Sequence, residues 1–434
     1  MTAREDGCAG SVGEDIYGLM ERLYPICRSI TGDGVRETLA IVREVIPLEV
    51  IEVPTGTQVF DWQIPKEWNI RDAYVKDSSG RRVIDFKAHN LHVVGYSTPI
   101  RGKMRLDELR PHLFSLPEHP DWIPNRTSYY HEDWGFCLTH NQLLALKDGE
   151  YEVCIDSRLE AGSLTYGEYL IRGATSDEVL IYTHTCHPSL CNDNLSGIAL
   201  TAHLARELAS QSLRYSYRFI FAPTTIGSIT WLARNEVHLS RIKHGLVAVL
   251  LGDEGNMVYK QSRRGSADID RIAAHVLGHS GKPFKLETFS PYGYDERQFC
   301  SPGIDLPVGR LTRTPHNAYR EYHTSADNLA LVSPRALSDS YRTFADIIKF
   351  LERNRRYLNT NPNCEPQLGR RGLYAKASGR VTAGERQMAV LWMLNLSDGK
   401  HTLLDIAERS GLSFDTLSAA VDALLDCGLL EVLD

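Results

Sequence analysis

Four side chains, set where predicted strands end or helical patterns approach, have the types of a metal site. His184 closes the run Val179 to Thr183 and opens Thr183-His184-Thr185-Cys186-His187-Pro188, and Asp193 follows in Asn192-Asp193-Asn194-Leu195-Ser196-Gly197, where a helical pattern begins. Asp253 comes just after the run Leu246 to Leu251, and His323 lies in Glu321-Tyr322-His323-Thr324-Ser325-Ala326-Asp327. Imidazole nitrogen and carboxylate oxygen make a borderline-hard donor set that suits zinc, and catalytic zinc keeps a position open for water. A single histidine after a strand is an ordinary structural residue, so the weight rests on two imidazoles and two carboxylates converging on one sheet edge. Cys186 and His187 are also capable donors. A thiol beside proline in a tight turn reads as buried structure, and both stay outside the predicted ligand set.

The elements that must position these groups alternate strand and helix over residues 165 to 355. Predicted strands are Val179 to Thr183, Tyr217 to Phe221, Leu246 to Leu251 and Leu306 to Leu311; predicted helices are Ser196 to Ala209, Gly227 to Asn235, Asp268 to Leu277 and Pro334 to Arg353. This alternation gives an α/β fold with a mostly parallel sheet and flanking helices, whose ligands bind beyond the carboxyl ends of the strands. Ahead of it, residues 14 to 48 have helical spacing broken by a turn at 32 to 34. Residues 53 to 160 form a β-rich inserted module, with strands expected at Gln58 to Trp62, Ala73 to Lys76, Leu91 to Tyr96 and Tyr151 to Asp156. Its Trp62, Trp68, Trp122 and Trp134 either pack that module's core and seam or wall a substrate cleft. After a linker-like stretch at 359 to 371, three helical patterns and a short strand at Gly428 to Leu433 give a winged-helix-like layout. The expected division is 1–52, 53–160, 161–358 and 380–434.

The chain of 434 residues has 48 Lys plus Arg against 55 Asp plus Glu, a net charge of -7, which argues against a generally phosphate-seeking protein. Residues 386 to 434 hold Arg386, Lys400 and Arg409 against eight acidic residues, so the winged-helix-like module is read as a protein-docking or dimerisation surface rather than a nucleic-acid reader. No apolar run reaches the roughly 18 residues of a membrane span, and the acidic start has no signal-peptide layout; the expectation is a cytoplasmic protein with no membrane partner. Nine cysteines without a CxxC pair read as reduced thiols.

Beyond these patterns, the sequence resembles the M28-type zinc aminopeptidases, and more closely the bacterial DUF4910 aminopeptidase-like proteins, which have a DUF2172-type β insertion and a C-terminal winged helix. The stretches that carry the resemblance include Leu23-Tyr24-Pro25-Ile26-Cys27-Arg28-Ser29-Ile30-Thr31-Gly32, Trp134-Gly135-Phe136-Cys137-Leu138, His184-Thr185-Cys186-His187-Pro188, Asp295-Glu296-Arg297-Gln298 and Tyr322-His323-Thr324-Ser325-Ala326-Asp327. The resemblance implies one or two zinc ions, with His184 and Asp253 on one, His323 on a second and Asp193 bridging. It also exposes two departures. Cys186 occupies the position of an Asp that orients the first His in many M28 members, and Thr224, in Ala222-Pro223-Thr224-Thr225-Ile226-Gly227-Ser228, stands where a Glu is expected as general base or second-zinc ligand.

Threonine does neither job well, because its hydroxyl is not basic at neutral pH. Glu254, Glu296 and Glu321 are candidate replacement bases by proximity of motif, with surface or structural ion pairs as the plain alternative. Arg263, Arg264 and Arg297 are candidate clamps for a substrate carboxylate and Asp295 a candidate receiver of a free amine, unless they only tie loops together. The reading is therefore a zinc-dependent amide or peptide hydrolase acting on a small peptide or aminoacyl-amide substrate, of use in a biosynthetic pathway. The competing reading is a catalytically impaired binding or scaffold protein on the same fold.

Overall fold

The computed structural model describes residues 5–373 and 382–433, with side chains described for 12–373 and 384–433. The outermost positions of the expected 1–52 and 380–434 segments (1–4, 380–381 and 434) lie outside the described residues. The chain divides into two compact units, residues 1–264 with 287–341, and residues 265–286 with 342–434.

The first unit is built on strands β1 (Glu49–Pro54), β2 (Ser163–Ile171), β3 (Glu178–His184), β4 (Ser216–Ala222), β5 (Ile242–Ala248), β6 (Met257–Lys260) and β7 (Val308–Thr312), which lie side by side in the order β1-β2-β4-β3-β5-β7-β6. Neighbours among β4, β3, β5 and β7 run parallel, while β1, β2 and β6 join antiparallel at the margins. Every residue of β3 is buried. A parallel strand covered on both faces reads as a continuous apolar run, which is why this segment was legible in sequence. Removing Leu180 or Tyr182, both fully buried, would forfeit on the order of 2–5 kcal/mol through lost burial and the cavity left behind.

Three predicted strands differ, the first being Gln58 to Trp62, which is a tight hairpin of Gln58–Val59 paired antiparallel with Trp62–Gln63. The run Leu246 to Leu251 is extended only to Ala248, because side chains of the Asp193 turn capture its backbone donors. Leu250 N–H donates to Asn194 Oδ1 at 3.2 Å, Leu251 N–H to Ser196 Oγ at 3.0 Å and Gly252 N–H to Asn192 Oδ1 at 2.9 Å. Leu91 to Tyr96 is not a strand: Asn90–His92 forms a 3-10 turn, capped by His89 Nδ1, which accepts from Leu91 N–H at 3.1 Å. The β-rich module has its own antiparallel sheet of Arg82–Asp85, Glu67–Lys76, Glu150–Glu160 and Ile100–Arg105. Trp68 belongs to its core, 2% exposed, stacked on Tyr96 and donating from Nε1 to Ser97 O, whereas Trp62 is exposed.

In the second unit, strand Arg356–Asn359 pairs with both Asp398–Thr402 and Leu430–Val432, so the stretch read as a linker begins inside a small sheet. Helices Thr382–Leu396, Leu403–Ser410 and Phe414–Asp426 complete the winged helix. Thr402 and Asp405 form a reciprocal capping box, and Gly411 takes the left-handed conformation (φ 68) that ends the middle helix. Part of the acidic charge of residues 386 to 434 is matched by basic residues elsewhere in the unit. Arg271 pairs with Asp405 and Glu408, Lys349 with Asp415 and Arg353 with Asp422, and over the whole unit the charges nearly cancel.

Candidate metal centre

The site begins with a turn that has unusually little room. Between β3 and helix Ser196–Leu208, Asn194 Nδ2 donates to Thr183 Oγ1 at 2.8 Å and to His184 O at 3.2 Å, tying the turn to the strand end. A Cβ at Gly197 would lie 2.4 Å from Ala248 O and 2.5 Å from Asn194 Oδ1, so only glycine allows the helix to start this close to the sheet. The turn delivers Asp193, fully buried, into the space between two imidazoles: Asp193 Oδ1 lies 2.9 Å from His184 Nε2, and Oδ2 lies 2.9 Å from His323 Nε2.

Burial pushes the Asp193 carboxyl up, but the imidazoles of His187, His184 and His323 outweigh it and hold the group well below the usual carboxylate range. His187 is itself pushed down to about 3, by burial first and then by His184, His323 and Arg28, against the pull of Asp193; it is a neutral imidazole at pH 7. Its ring lies 4.8 Å from that of His184 and 5.1 Å from that of His323. Among the described residues, His184, His187 and Asp193 each bring a ligand atom within 4.8 Å of the others. His184 Nδ1 is buried without a hydrogen-bond partner, and Tyr294 stacks on the ring at 5.4 Å. The N/O donor set, the fully buried carboxylate and the unpartnered imidazole nitrogen fit a divalent metal such as zinc.

His323 comes from a loop that the β-rich module grips. Asn125 N–H donates to His323 O at 2.8 Å, Ser325 N–H to Ile123 O at 2.8 Å, and Ile123 N–H to Ser325 Oγ at 2.9 Å. These bonds hold His323 at φ 54, a left-handed conformation uncommon for a residue other than glycine. Its side chain stays 34% exposed while His184 and Asp193 are closed off, so the centre opens to solvent on the His323 side.

The structure brings His184, Asp193 and His323 together, and it engages Asp253 elsewhere. The Asp253 carboxylate accepts from Asn192 Nδ2 (2.9 Å), Gly255 N–H (2.6 Å), Thr314 Oγ1 (2.6 Å) and Thr314 N–H (3.3 Å), which occupies its lone pairs in bracing the loop. Thr224 is half-buried beside the centre, its carbonyl 3.8 Å from Cys186 Sγ. Glu296 is fully buried and bonded to Lys260 Nζ at 2.9 Å, with Arg310 at 3.6 Å, so its charge is already matched. Glu254 is paired with Arg335 and Ser333 at the surface, and Glu321 lends its carbonyl to the Thr324 turn. Arg263 and Arg264 both bind Asp305 in exposed ion pairs. Arg297 is half-buried with an unpartnered Nε, and Asp295 is 1% exposed, too enclosed to greet an amine at the surface.

Sequence reasoning set His187, three residues beyond His184, outside the ligand set and gave no role to Asp327. The Asp327 carboxylate accepts from Asn192 N–H at 2.6 Å, Asp193 N–H at 3.0 Å and Tyr319 Oη at 3.2 Å. Its partners are mostly main-chain groups, which residue types do not reveal.

Comparison with known proteins agrees with this architecture. Residues 17–354 match the DUF4910 family, described as a domain of unknown function, and residues 355–432 match a winged helix-turn-helix family. A Clostridium acetobutylicum protein, provisionally named for polysaccharide biosynthesis and an aminopeptidase-like domain, is 54% identical over 425 residues, covering 98% of each chain. A crystal structure from Clostridium acetobutylicum, provisionally described as a peptidase, superposes with a TM-score of 0.94 at 53% identity over 98% of this chain and 97% of that one. The zinc aminopeptidase BSAP from Bacillus subtilis shares the fold at a TM-score of 0.57 and 11% identity, over 78% of this chain and 94% of its own.

Proposed function

The chain belongs to the DUF4910 family, and from that membership and the arrangement around Asp193 we propose that it is a zinc-dependent hydrolase of the aminopeptidase type, cleaving an amide or peptide bond in a small substrate. The observation that carries the reading is the fully buried Asp193 carboxylate held at 2.9 Å from both His184 and His323. A buried carboxylate ringed by imidazoles is costly to maintain and useful for holding a cation.

His184, His187, Asp193 and His323 would hold the metal. Zinc held by these residues would supply a lowered pKa for water and polarisation of a scissile carbonyl. Around it the chain supplies orientation: Tyr294 fixes the plane of His184, Tyr322 stacks on His323 at 4.0 Å, and Asp327 sets the backbone of Asp193. The opening on the His323 side would admit a small substrate to a centre in which His184 and Asp193 are enclosed. The provisional name of the Clostridium relative favours an amide-bearing biosynthetic intermediate over a dietary peptide. The cytoplasm is the proposed compartment; no helix among the described residues is long and apolar enough to cross a membrane.

The test is turnover of a panel of aminoacyl p-nitroanilides and aminoacyl amides by the full chain after chelation, with and without restored zinc. Zinc-dependent hydrolysis is expected, together with its loss in His184→Ala. No turnover of any member of the panel with zinc bound would count against a hydrolase.

A further inference from the structure

The turn that carries His187 is pinned from three sides. Thr185 N–H donates to Ala222 O at 3.2 Å, Arg28 Nε donates to His187 O at 3.1 Å, and Ser189 Oγ donates to Tyr24 O at 2.9 Å. With the main chain held before, at and after His187, the aim of its imidazole is set by what the ring touches. Nδ1 lies 3.4 Å from Cys186 Sγ, within hydrogen-bond reach of sulfur. Cys186 is 1% exposed, and the same sulfur lies 3.8 Å from Thr224 O, in position to donate its hydrogen there. His184 is held differently: its Nε2 faces Asp193, and its Nδ1 has no hydrogen-bond partner.

We propose that Cys186 is a positioning residue of the metal centre: its thiol donates to Thr224 O while its sulfur accepts from Nδ1–H of His187, which leaves His187 Nε2 free as a metal donor. The inference rests on the metal-binding part of the reading above. A neutral imidazole carries a single N–H, so the group that engages one ring nitrogen decides which lone pair remains for a metal. Metal-bound histidines are held in this way, by an acceptor on the nitrogen that does not touch the ion.

The direction of the two bonds follows from the groups in contact. A thiol offers one weak donor and one weak acceptor, and a carbonyl oxygen can only accept. Thr224 O therefore takes the thiol hydrogen, and sulfur is left to accept from the ring. A thiol donating to Nδ1 instead would put the imidazole hydrogen on Nε2 and remove His187 from the donor set. A Cys186 that bound the metal itself would give up its hydrogen and leave Thr224 O without it.

The experiment compares the full-length unmodified chain with Cys186→Ser, Cys186→Ala, His187→Ala and the double variant Cys186→Ala with His187→Ala. Zinc affinity is read by competition with a chelating dye. Cys186→Ala should bind zinc about 10- to 100-fold more weakly, the scale for a group that orients a ligand. Cys186→Ser, whose hydroxyl can still donate and accept, should recover most of that loss. If Cys186 acts only through His187, the double variant binds zinc within about threefold of His187→Ala alone; a cysteine that merely packs the turn, or ligates by itself, gives additive losses. Loading with cobalt separates the last case further: the unmodified chain should lack the near-ultraviolet charge-transfer band of a cobalt–thiolate bond. In the metal-free chain labelled with 15N-histidine, long-range proton–nitrogen spectra should show His187 as the Nδ1–H form, identified by the signal missing from His187→Ala. Additive losses, unchanged affinity in Cys186→Ala, a thiolate band that Cys186→Ser abolishes, or an Nε2–H form of His187 would each overturn the assignment. None of these measurements uses turnover, so a chain that binds zinc and hydrolyses nothing sinks the hydrolase reading alone. A chain that binds no zinc sinks the metal reading, and the Nε2–H or Nδ1–H form of His187 still decides whether Cys186 holds the ring.

Discussion

Asp327 Oδ2 accepts the main-chain N–H of Asp193 at 3.0 Å, while its Oδ1 accepts that of Asn192 at 2.6 Å. The loop that carries His323 therefore also sets the aim of the carboxylate that His323 faces, and the two halves of the centre cannot move independently. Asp327 is fully buried, and burial first pushes its carboxyl up to about 7, against the pull of those two amides.

Replacing this clamp should loosen the centre without unfolding the chain. Asp327→Asn keeps the shape but turns one acceptor into a donor that confronts a main-chain N–H. Zinc affinity should fall about 10- to 100-fold, the usual scale for groups that orient ligands. Competition with a chelating dye checks this, and unchanged affinity would show that the Asp193 turn holds itself.

His187 and Asp253 should separate cleanly. His187→Ala removes a neutral imidazole beside Asp193 and is expected to weaken zinc binding with little change in metal-free stability. Asp253→Ala leaves the donors of Asn192, Gly255 and Thr314 without their acceptor, at a cost of about 1–3 kcal/mol, and should lower the melting temperature while zinc binding persists. Elemental analysis beside thermal melts distinguishes them, and the reverse pattern would return Asp253 to the ligand set.

Acid should destabilise the fold before its carboxylates titrate. Burial drives His89, His203 and His244 down to about 4 from the ordinary 6.5. Between those values the unfolded chain binds protons that the folded chain refuses, so stability is full above pH 6.5 and falls as pH drops toward 4. The slope approaches about 1.4 kcal/mol per pH unit for each such histidine. Denaturant melts from pH 7.5 to 4.5 measure it, and His244→Phe should flatten the curve; a flat profile in the unmodified chain would contradict the assignment.

The winged helix should not bind duplex DNA. Helix Phe414–Asp426, the one that would enter a major groove, carries Asp415, Asp422 and Asp426 and no Lys or Arg. Phe414 stacks on Phe350 at 4.4 Å, and Lys349 and Arg353 pair with Asp415 and Asp422, so this face is already engaged within its own unit. Anisotropy titrations with the full chain at low and physiological salt should show no salt-sensitive binding. Micromolar, salt-dependent affinity would reverse the reading, and a docking or dimerisation role remains the proposal for this module.

The amino-acid sequence by itself determined the central strands, because parallel strands buried on both faces must be apolar throughout, as in Val179 to Thr183. It also determined where helices begin, through residues such as Thr402 and Asp405, and it marked His184 by its place after an apolar run, Asp193 by its place ahead of a helical pattern and His323 by a polar motif leading toward the Pro334 helix. Only the tertiary structure decided that Asp253 accepts hydrogen bonds from Asn192, Gly255 and Thr314, that His187 joins the cluster, that Asp295 is buried against Ser228, and that Ile123 and Asn125 of the β-rich module grip the His323 loop. The physical reason is common to these cases. Periodicity reports which face of an element is buried, whereas hydrogen bonds to main-chain groups from distant segments can be accepted at any residue type and leave no mark on the pattern.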